Sequence, residues 1–142
     1  MKENIPTLKS AMSDLKKKYG EGILQTEKDS IGKIEMVSTG SYAFDDLLGG
    51  GIPCSRIIEA YGEPSQGKSS ASLFLAAQFQ KQGKVVAYID AENSYDSDYA
   101  KKLGVDTSKI LISQVETLEA AFDVIKSLAE TNEVDLIIVD SV

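Results

Sequence analysis

The sequence predicts an α/β domain, in which helices flank a mostly parallel β-sheet. A continuous apolar run at residues 85–89, and a second run at residues 134–139 that only Asp135 interrupts, are typical of parallel strands that are buried on both faces. Helical patterns of roughly 10–15 residues alternate with these and other short apolar runs, as in sheets connected by right-handed crossovers. We therefore expect one α/β core, which follows a separate N-terminal helix.

The composition is typical of a soluble globular domain and argues against several classes of function. The 142 residues are 42% hydrophobic and 26% charged, and the net charge of −7 argues against a broad nucleic-acid-binding surface. The chain has no histidine, which removes histidine-based acid–base and metal sites. Its single cysteine, Cys54, fits a reducing cytoplasm, and no apolar run is long enough to cross a membrane. We expect a cytoplasmic protein without a membrane partner.

The N-terminal region, residues 1–32, is predicted to contain one amphipathic helix and a linker. Thr7 is a suitable N-cap for this helix and Gly20 a suitable stop. Apolar side chains recur between them at helical spacing, at Leu8, Met12, Leu15 and Tyr19. This helix can pack on its own domain or on a second copy of the chain, and its lysines form a solvated face or an interaction surface. Residues 33–142 are predicted to form the core.

The core is predicted to begin with short elements. Residues 34–37 form a strand, residues 42–48 a short helix, and the three glycines at 49–51 a stop and a flexible connection. Residues 56–61 are a strand candidate that leads straight into a glycine-rich motif. After that motif, helices and strands are expected to alternate over residues 68–82, 85–89, 95–103, 110–112, 118–129 and 134–139.

The glycine-rich motif is the strongest chemical signal in the chain. It fits the pattern G-x-x-x-x-G-K-[ST] of phosphate-binding loops and comprises Gly62, Glu63, Pro64, Ser65, Gln66, Gly67, Lys68 and Ser69. In such a loop the backbone N–H groups cradle phosphate oxygens, Lys68 reaches the β- and γ-phosphates, and the Ser69 hydroxyl holds Mg²⁺. The dipole of the following helix adds positive potential. The alternative is a glycine-rich turn between a strand and a helix.

Acidic side chains follow two of the predicted strands. Asp140 closes the last strand and is placed to support Mg²⁺, or else it merely ends the strand. Glu92 follows the strand at 85–89, on the side where ligands of open α/β sheets bind, and can orient and polarise an attacking water. The alternative is that an acid of this stretch, such as Asp90, caps the next helix.

An aromatic side chain lies close to a further acid. Tyr99 comes three residues after Asp96, and this spacing places both side chains on one face of a helix. An aromatic ring beside a polar acceptor can hold adenine by stacking and by accepting its amino proton. The residue types alone favour an ordinary surface tyrosine.

Taken in order, the motifs resemble those of the bacterial RecA recombinase family along nearly the whole chain. Besides Asp96, the matching stretches are residues 38–41, 47–53, 56–59, 61–70, 88–92, 99–106 and 134–141. The first helix is similar to the family's N-terminal helix, which packs on the neighbouring subunit of a filament. Pro64 and Gln66 depart from the family's usual loop, and the triple glycine at 49–51 is similar to the related RadA and KaiC branch.

The resemblance implies a RecA-like P-loop NTPase core, preceded by an oligomerisation helix, with ATP and Mg²⁺ as cofactors. The implied catalytic residues are Glu92, which activates the hydrolytic water, and Lys68. The implied metal ligands are Ser69 and Asp140. The implied nucleotide-binding residues are those of the loop together with Ser69, Ser70, Asp96, Tyr99 and Asp140, of which Asp96 and Tyr99 hold the adenine.

The implied function is an ATP-dependent DNA recombinase of homologous recombination, DNA repair and the SOS response. Its partners would be single- and double-stranded DNA and further copies of the chain in a filament. Because the chain stops at Val142, after the Walker-B strand, we expect a fragment of a longer recombinase or a shortened product, with an exposed sheet edge that favours self-pairing. The alternative is a non-catalytic nucleotide-binding or filament-interaction module without DNA-binding loops. A small-molecule phosphoryl transferase is disfavoured, because Arg56 is the only arginine.

Overall fold

The computed structural model describes residues 7–24 and 34–140. The chain divides into two compact units, residues 1–34 and residues 35–142. The sequence predicted a domain boundary after residue 32, and that boundary stays a prediction. Within the described ranges, no helix has both the length and the apolar character needed to cross a membrane.

The N-terminal unit contains helix α1, Leu8–Tyr19, and one turn of 3-10 helix, Glu21–Ile23. The side chain of Thr7 accepts the backbone N–H of Ser10, and Gly20 ends the helix at a φ of 96°. Both predicted ends of this helix are confirmed. The linker predicted up to residue 32 lies largely outside the described residues.

The second unit opens with a small antiparallel pair of strands, β1 (Met36–Val37) and β2 (Ile52–Pro53), in which Val37 faces Ile52. Helix α2, Tyr42–Leu47, connects them. A Cβ atom added to Gly51 would lie 2.3 Å from the carbonyl oxygen of Val37, and Gly51 has a φ of 124°. Gly51 therefore closes a tight turn into β2, whereas Gly49 and Gly50 are exposed, and the flexible connection expected over the three glycines stays a prediction.

Among the residues that the structure describes, the main sheet has three parallel strands in the order β4-β3-β5, which confirms the predicted parallel α/β core. In chain order its elements are α3 (Lys68–Lys81), β3 (Val86–Asp90), α4 (Ser97–Lys102), β4 (Leu111–Gln114), α5 (Leu118–Thr131) and β5 (Leu136–Asp140). Asp90 at the end of β3 is in register with Gln114 of β4 and with Asp140 of β5. The carboxyl ends of the three strands thus meet at one edge.

The core is centred on β3, which is buried along its whole length. Helix α3 covers one region of it with Leu73, Ala76, Ala77 and Phe79, which join Tyr88 in one apolar cluster. Ala121 of α5 joins Ile89 in a second cluster. Strand β5, predicted to be buried, is only partly buried, because its described ladder partner lies on one side only.

Residues 56–61 do not form the predicted strand. No strand among the described residues pairs with them, and the side chains of Ile57 and Ile58 are 102% and 53% exposed. A strand is defined by the hydrogen bonds that it makes to a neighbour, so an apolar run without that neighbour remains irregular. The strand predicted over residues 56–61 was therefore wrong.

Candidate functional site

The glycine-rich loop leads directly into the first turn of α3. Gly67 is the N-cap residue, with left-handed angles of φ 89° and ψ 17°, a conformation that favours glycine. No side chain caps this 14-residue helix, and its first turn contains no acidic residue. The first backbone N–H groups and the positive end of the helix dipole are therefore available to an anion.

Lys68 lies over this loop. Its ammonium donates to the carbonyl oxygen of Gly62 at 2.8 Å and to that of Glu63 at 3.0 Å. Ser65 has a φ of 61°, so two positions of the loop have left-handed backbone angles. The five loop positions between Gly62 and Gln66 are all exposed. The sequence-predicted loop residues are thus together on an open surface, with a lysine that can exchange carbonyl partners for phosphate oxygens.

Asp90 shapes the turn that follows β3. Its side chain is fully buried, and it accepts the backbone N–H groups of Ser94 at 3.0 Å and Tyr95 at 2.9 Å. Burial raises the pKa of Asp90, but hydrogen bonds, those from Ser94 and Tyr95 foremost, outweigh it and hold the pKa below its ordinary value. This carboxylate fixes the turn that carries Glu92, which is exposed.

Asp96, and not Asp90, caps helix α4. Its Oδ1 accepts the backbone N–H groups of Asp98 at 2.8 Å and Tyr99 at 3.0 Å, and these bonds, that from Tyr99 first, lower the pKa of Asp96. The cap that we considered for Asp90 was therefore assigned to the wrong acid. One carboxylate oxygen of Asp96 is committed to the helix.

Tyr99 connects α4 to the first turn of α3. Its hydroxyl lies 2.7 Å from Oγ of Ser70, and its side chain is 41% exposed. Tyr99, which we considered for stacking on adenine, therefore lies beside helix α3, and a large part of its side chain is exposed to solvent.

Asp140 has a partner that the sequence reasoning missed. The hydroxyl of the buried Tyr88 donates to Oδ2 of Asp140 at 2.5 Å, while the backbone N–H of Ala91 donates to the carbonyl oxygen of Asp140 at 3.1 Å. Burial, and then the hydrogen bond and charge of Asp140, raise the pKa of Tyr88 far above its ordinary value, so this hydroxyl keeps its proton. The sequence contained one indication of this bond, a tyrosine within an apolar run predicted to be a buried strand, because a buried hydroxyl needs a hydrogen-bond partner.

The side chains available for a metal ion are few. Within residues 7–24 and 34–140 there is no group of three or more histidine, cysteine, aspartate or glutamate side chains that could hold one. Ser69 and Asp140 carry hydroxyl and carboxylate oxygens, which are of the kind that Mg²⁺ takes, and Mg²⁺ keeps several waters and is usually completed by substrate phosphates. Calcium, which takes six to eight protein or water oxygens, fits this donor set less well.

These contacts define the class of the protein. It is an α/β domain in which a glycine-rich phosphate-loop motif opens a helix beside the carboxyl edge of a parallel sheet. Ser70 links the start of that helix to Tyr99, and Tyr88 links the ends of β3 and β5.

The RecA N-terminal domain family matches residues 6–142, and the chain belongs to this family. The resemblance noted in the sequence is confirmed. "Protein RecA" of Delftia acidovorans is 43% identical over 143 residues, which cover 99% of this chain and 39% of that relative. "Protein RecA" of Clostridium tetani is 40% identical, with 99% and 41% coverage, and that of Mesomycoplasma hyopneumoniae is 46% identical, with 95% and 41% coverage. The chain thus spans about two fifths of the length of the curated relatives that it matches.

Proposed function

We propose that the chain is the nucleotide-binding N-terminal part of an ATP-dependent DNA recombinase, which acts in the cytoplasm in homologous recombination, DNA repair and the SOS response. One observation carries this proposal: a hydrogen bond between Ser70 and Tyr99 ties the first turn of α3 to helix α4, while a second, from Tyr88 to Asp140, ties the carboxyl ends of β3 and β5. Family membership over residues 6–142 supports it.

In this proposal the loop and α3 bind the triphosphate. The backbone N–H groups between Gly62 and Gly67, except at Pro64, which has none, surround the phosphates. Lys68 moves its ammonium from the carbonyls of Gly62 and Glu63 to the β- and γ-phosphate oxygens. Gln66 and Ser70 line the same binding surface. The uncapped start of α3 supports the binding of negative charge there.

Hydrolysis needs a metal site and a base, and we assign three side chains to them. Ser69 and Asp140 would hold Mg²⁺, Ser69 directly and Asp140 through its waters. Bound Mg²⁺ supplies neutralisation of the charge that develops on the phosphates. Glu92, in the turn fixed by Asp90, would orient a water for in-line attack and accept its proton.

Adenine would lie against α4. The Tyr99 ring, partly exposed and held by Ser70, offers a stacking face, and Asp96 offers an acceptor for the amino group. Because Oδ1 of Asp96 accepts two backbone N–H groups, Oδ2 is the oxygen assigned to the base.

Filament assembly would use α1. Leu8 and Tyr19 of its apolar stripe are 78% and 58% exposed, and no residue of α1 is buried among the described residues. An uncovered apolar stripe supports packing on a second copy of the chain. Single- and double-stranded DNA would be contacted by other regions of the full recombinase, in keeping with the charge of −7.

Two lysines at opposite ends of α3 provide the test. Lys68→Ala should weaken Mg²⁺–ATP binding at least about tenfold, because it removes a charge-assisted bond to phosphate. Lys81→Ala, in the last turn, should bind as the wild type does. Calorimetry measures both, and Glu92→Gln should bind ATP without hydrolysing it. Absence of ATP binding in the wild-type chain, or equal binding by Lys68→Ala, would overturn the proposal.

A second candidate is a nucleotide-binding or filament-interaction module without catalysis. The acidic charge of the chain favours it over a protein that contacts DNA by itself. ATP binding by the wild-type chain, with no hydrolysis in the presence or absence of single-stranded DNA, would support this candidate over the first.

A further inference from the structure

Tyr88 reaches the end of the neighbouring strand across one face of the sheet. In the β3–β5 ladder it is paired with Ile138, two residues before Asp140. Since side chains of a strand alternate between its faces, Ile138 and Asp140 point to the same face, which they share with Tyr88. The ring of Tyr88 is 2% exposed, and only its hydroxyl meets a charged group, Oδ2 of Asp140 at 2.5 Å.

A second contact connects Tyr88 to the start of α3. The hydroxyl of Ser72 donates to the carbonyl oxygen of Ser69 at 2.8 Å, and its hydrogen bond with the Tyr88 hydroxyl lowers the pKa of Tyr88, against the stronger effects of burial and Asp140. Tyr88 is therefore bonded directly to Asp140 and is connected through Ser72 to the backbone of Ser69.

We propose that Tyr88 is a positioning residue that holds the Asp140 carboxylate in the orientation needed to support Mg²⁺. This inference rests on the proposed function. A donor fixed on Oδ2 limits rotation of the carboxylate and leaves Oδ1 to accept a hydrogen bond from a water of the metal. Phenylalanine at this position would preserve the packing of the ring but release the carboxylate.

The experiment compares two neighbouring tyrosines in the full chain. Tyr95 packs on Tyr88 with ring centroids 5.3 Å apart, and its buried hydroxyl has no hydrogen-bond partner among the described residues. ATP binding is measured at a series of Mg²⁺ concentrations and in EDTA, for Tyr88→Phe and for the control Tyr95→Phe. Thermal unfolding without nucleotide verifies that both variants are folded.

Tyr88→Phe should raise the Mg²⁺ concentration for half-maximal ATP binding about three- to tenfold, less than the 10–100-fold typical when a direct partner of a metal ligand is lost. ATP binding in EDTA should not change, and Tyr95→Phe should alter neither value. In an Asp140→Asn background, Tyr88→Phe should have no further effect on the Mg²⁺ dependence.

The outcomes separate the two proposals. An unchanged Mg²⁺ dependence in folded Tyr88→Phe, or an equal shift in the Asp140→Asn background, would overturn the positioning role while the nucleotide site stands. A wild-type chain that binds no ATP, or binds it equally well without Mg²⁺, would overturn the metal assignment of the proposed function and this inference with it.

Discussion

Two predicted strands flank the loop and its helix, and they have opposite structures. Residues 56–61 precede the loop and are irregular, with Ile57 and Tyr61 102% and 88% exposed. Strand β3 follows the helix, and its five residues are all buried. Both stretches contain isoleucine and tyrosine, although residues 56–61 also include the charged Arg56 and Glu59, so their apolar residues alone do not explain the difference.

The difference lies in the neighbours that each run has. Strand β3 has parallel partners on both sides, β4 and β5, and helices α3 and α5 contribute to the clusters around it. Residues 56–61 have no such partners within the described part of the chain. An apolar run therefore becomes a strand when other elements satisfy its backbone and cover its side chains.

The strongest test of this comparison substitutes one isoleucine in each run. Ile89→Ala should lower the free energy of unfolding by about 3–5 kcal/mol, because Ile89 is 0% exposed and its loss leaves a cavity. Ile57→Ala should change it by less than about 0.5 kcal/mol. Urea unfolding followed by circular dichroism measures both, and equal losses would show that residues 56–61 are packed after all.

An intermediate effect is expected where β3 ends. Asp90→Ala removes the acceptor of the Ser94 and Tyr95 N–H groups and should cost about 1–3 kcal/mol in total, since both bonds are partly buried and water can replace them in part. Glu59→Ala, in the exposed run, is the matched control and should be neutral.

The pH dependence of Asp90 has a definite sign. Its pKa is lower in the folded chain than its ordinary value of 3.8, so the folded state favours the charged form. The stabilisation is complete above the ordinary value and is lost as the pH falls through the folded value. The stability of the wild type should therefore fall more steeply below about pH 4 than that of Asp90→Asn, and parallel curves would contradict this.

The smallest effect is expected at the amino end of β3. Lys84 pairs with Glu35 at 2.9 Å and with Asp135 at 3.5 Å, and its side chain is 20% exposed. Lys84→Ala should cost about 0.5–1 kcal/mol, and less in high salt, because partly exposed pairs are screened. Lys101→Ala, which removes an exposed pair with Asp98, should cost less still. A loss at Lys84 that does not depend on salt would point to packing of its stem instead.

The sequence predicted those features that depend on local pattern. We predicted the two ends of α1 at Thr7 and Gly20, the start of α3 near Lys68 and the apolar run of β3. These features depend on caps, glycines and periodicity, which act locally. Contacts between residues that are distant in sequence could not be predicted. The pairing of β1 with β2 and the bond from Tyr88 to Asp140 span 15 or more residues, and only folding brings them together.

The sequence predicted which residues form the candidate site, but it did not predict the hydrogen bonds between them. The loop motif, Glu92 after β3 and Asp140 at the end of β5 indicate where phosphate and metal would bind, and these assignments remain predictions. The spacing of residues in the sequence did not predict that Oδ1 of Asp96 accepts backbone N–H groups, because a residue at a helix start can either cap the helix or face a ligand. It also did not predict the hydrogen bond between Ser70 and Tyr99.

The most direct measurement of the central claim is amide hydrogen exchange of the chain with and without Mg²⁺–ATP. A nucleotide at the sheet edge should slow exchange in residues 62–70 and 91–99, where exposed backbone would gain contacts, and should leave β1 and β2 unchanged. Lys68→Ala should abolish the slowing. Equal exchange of residues 62–70 with and without saturating ATP would contradict the claim that this loop binds a nucleotide.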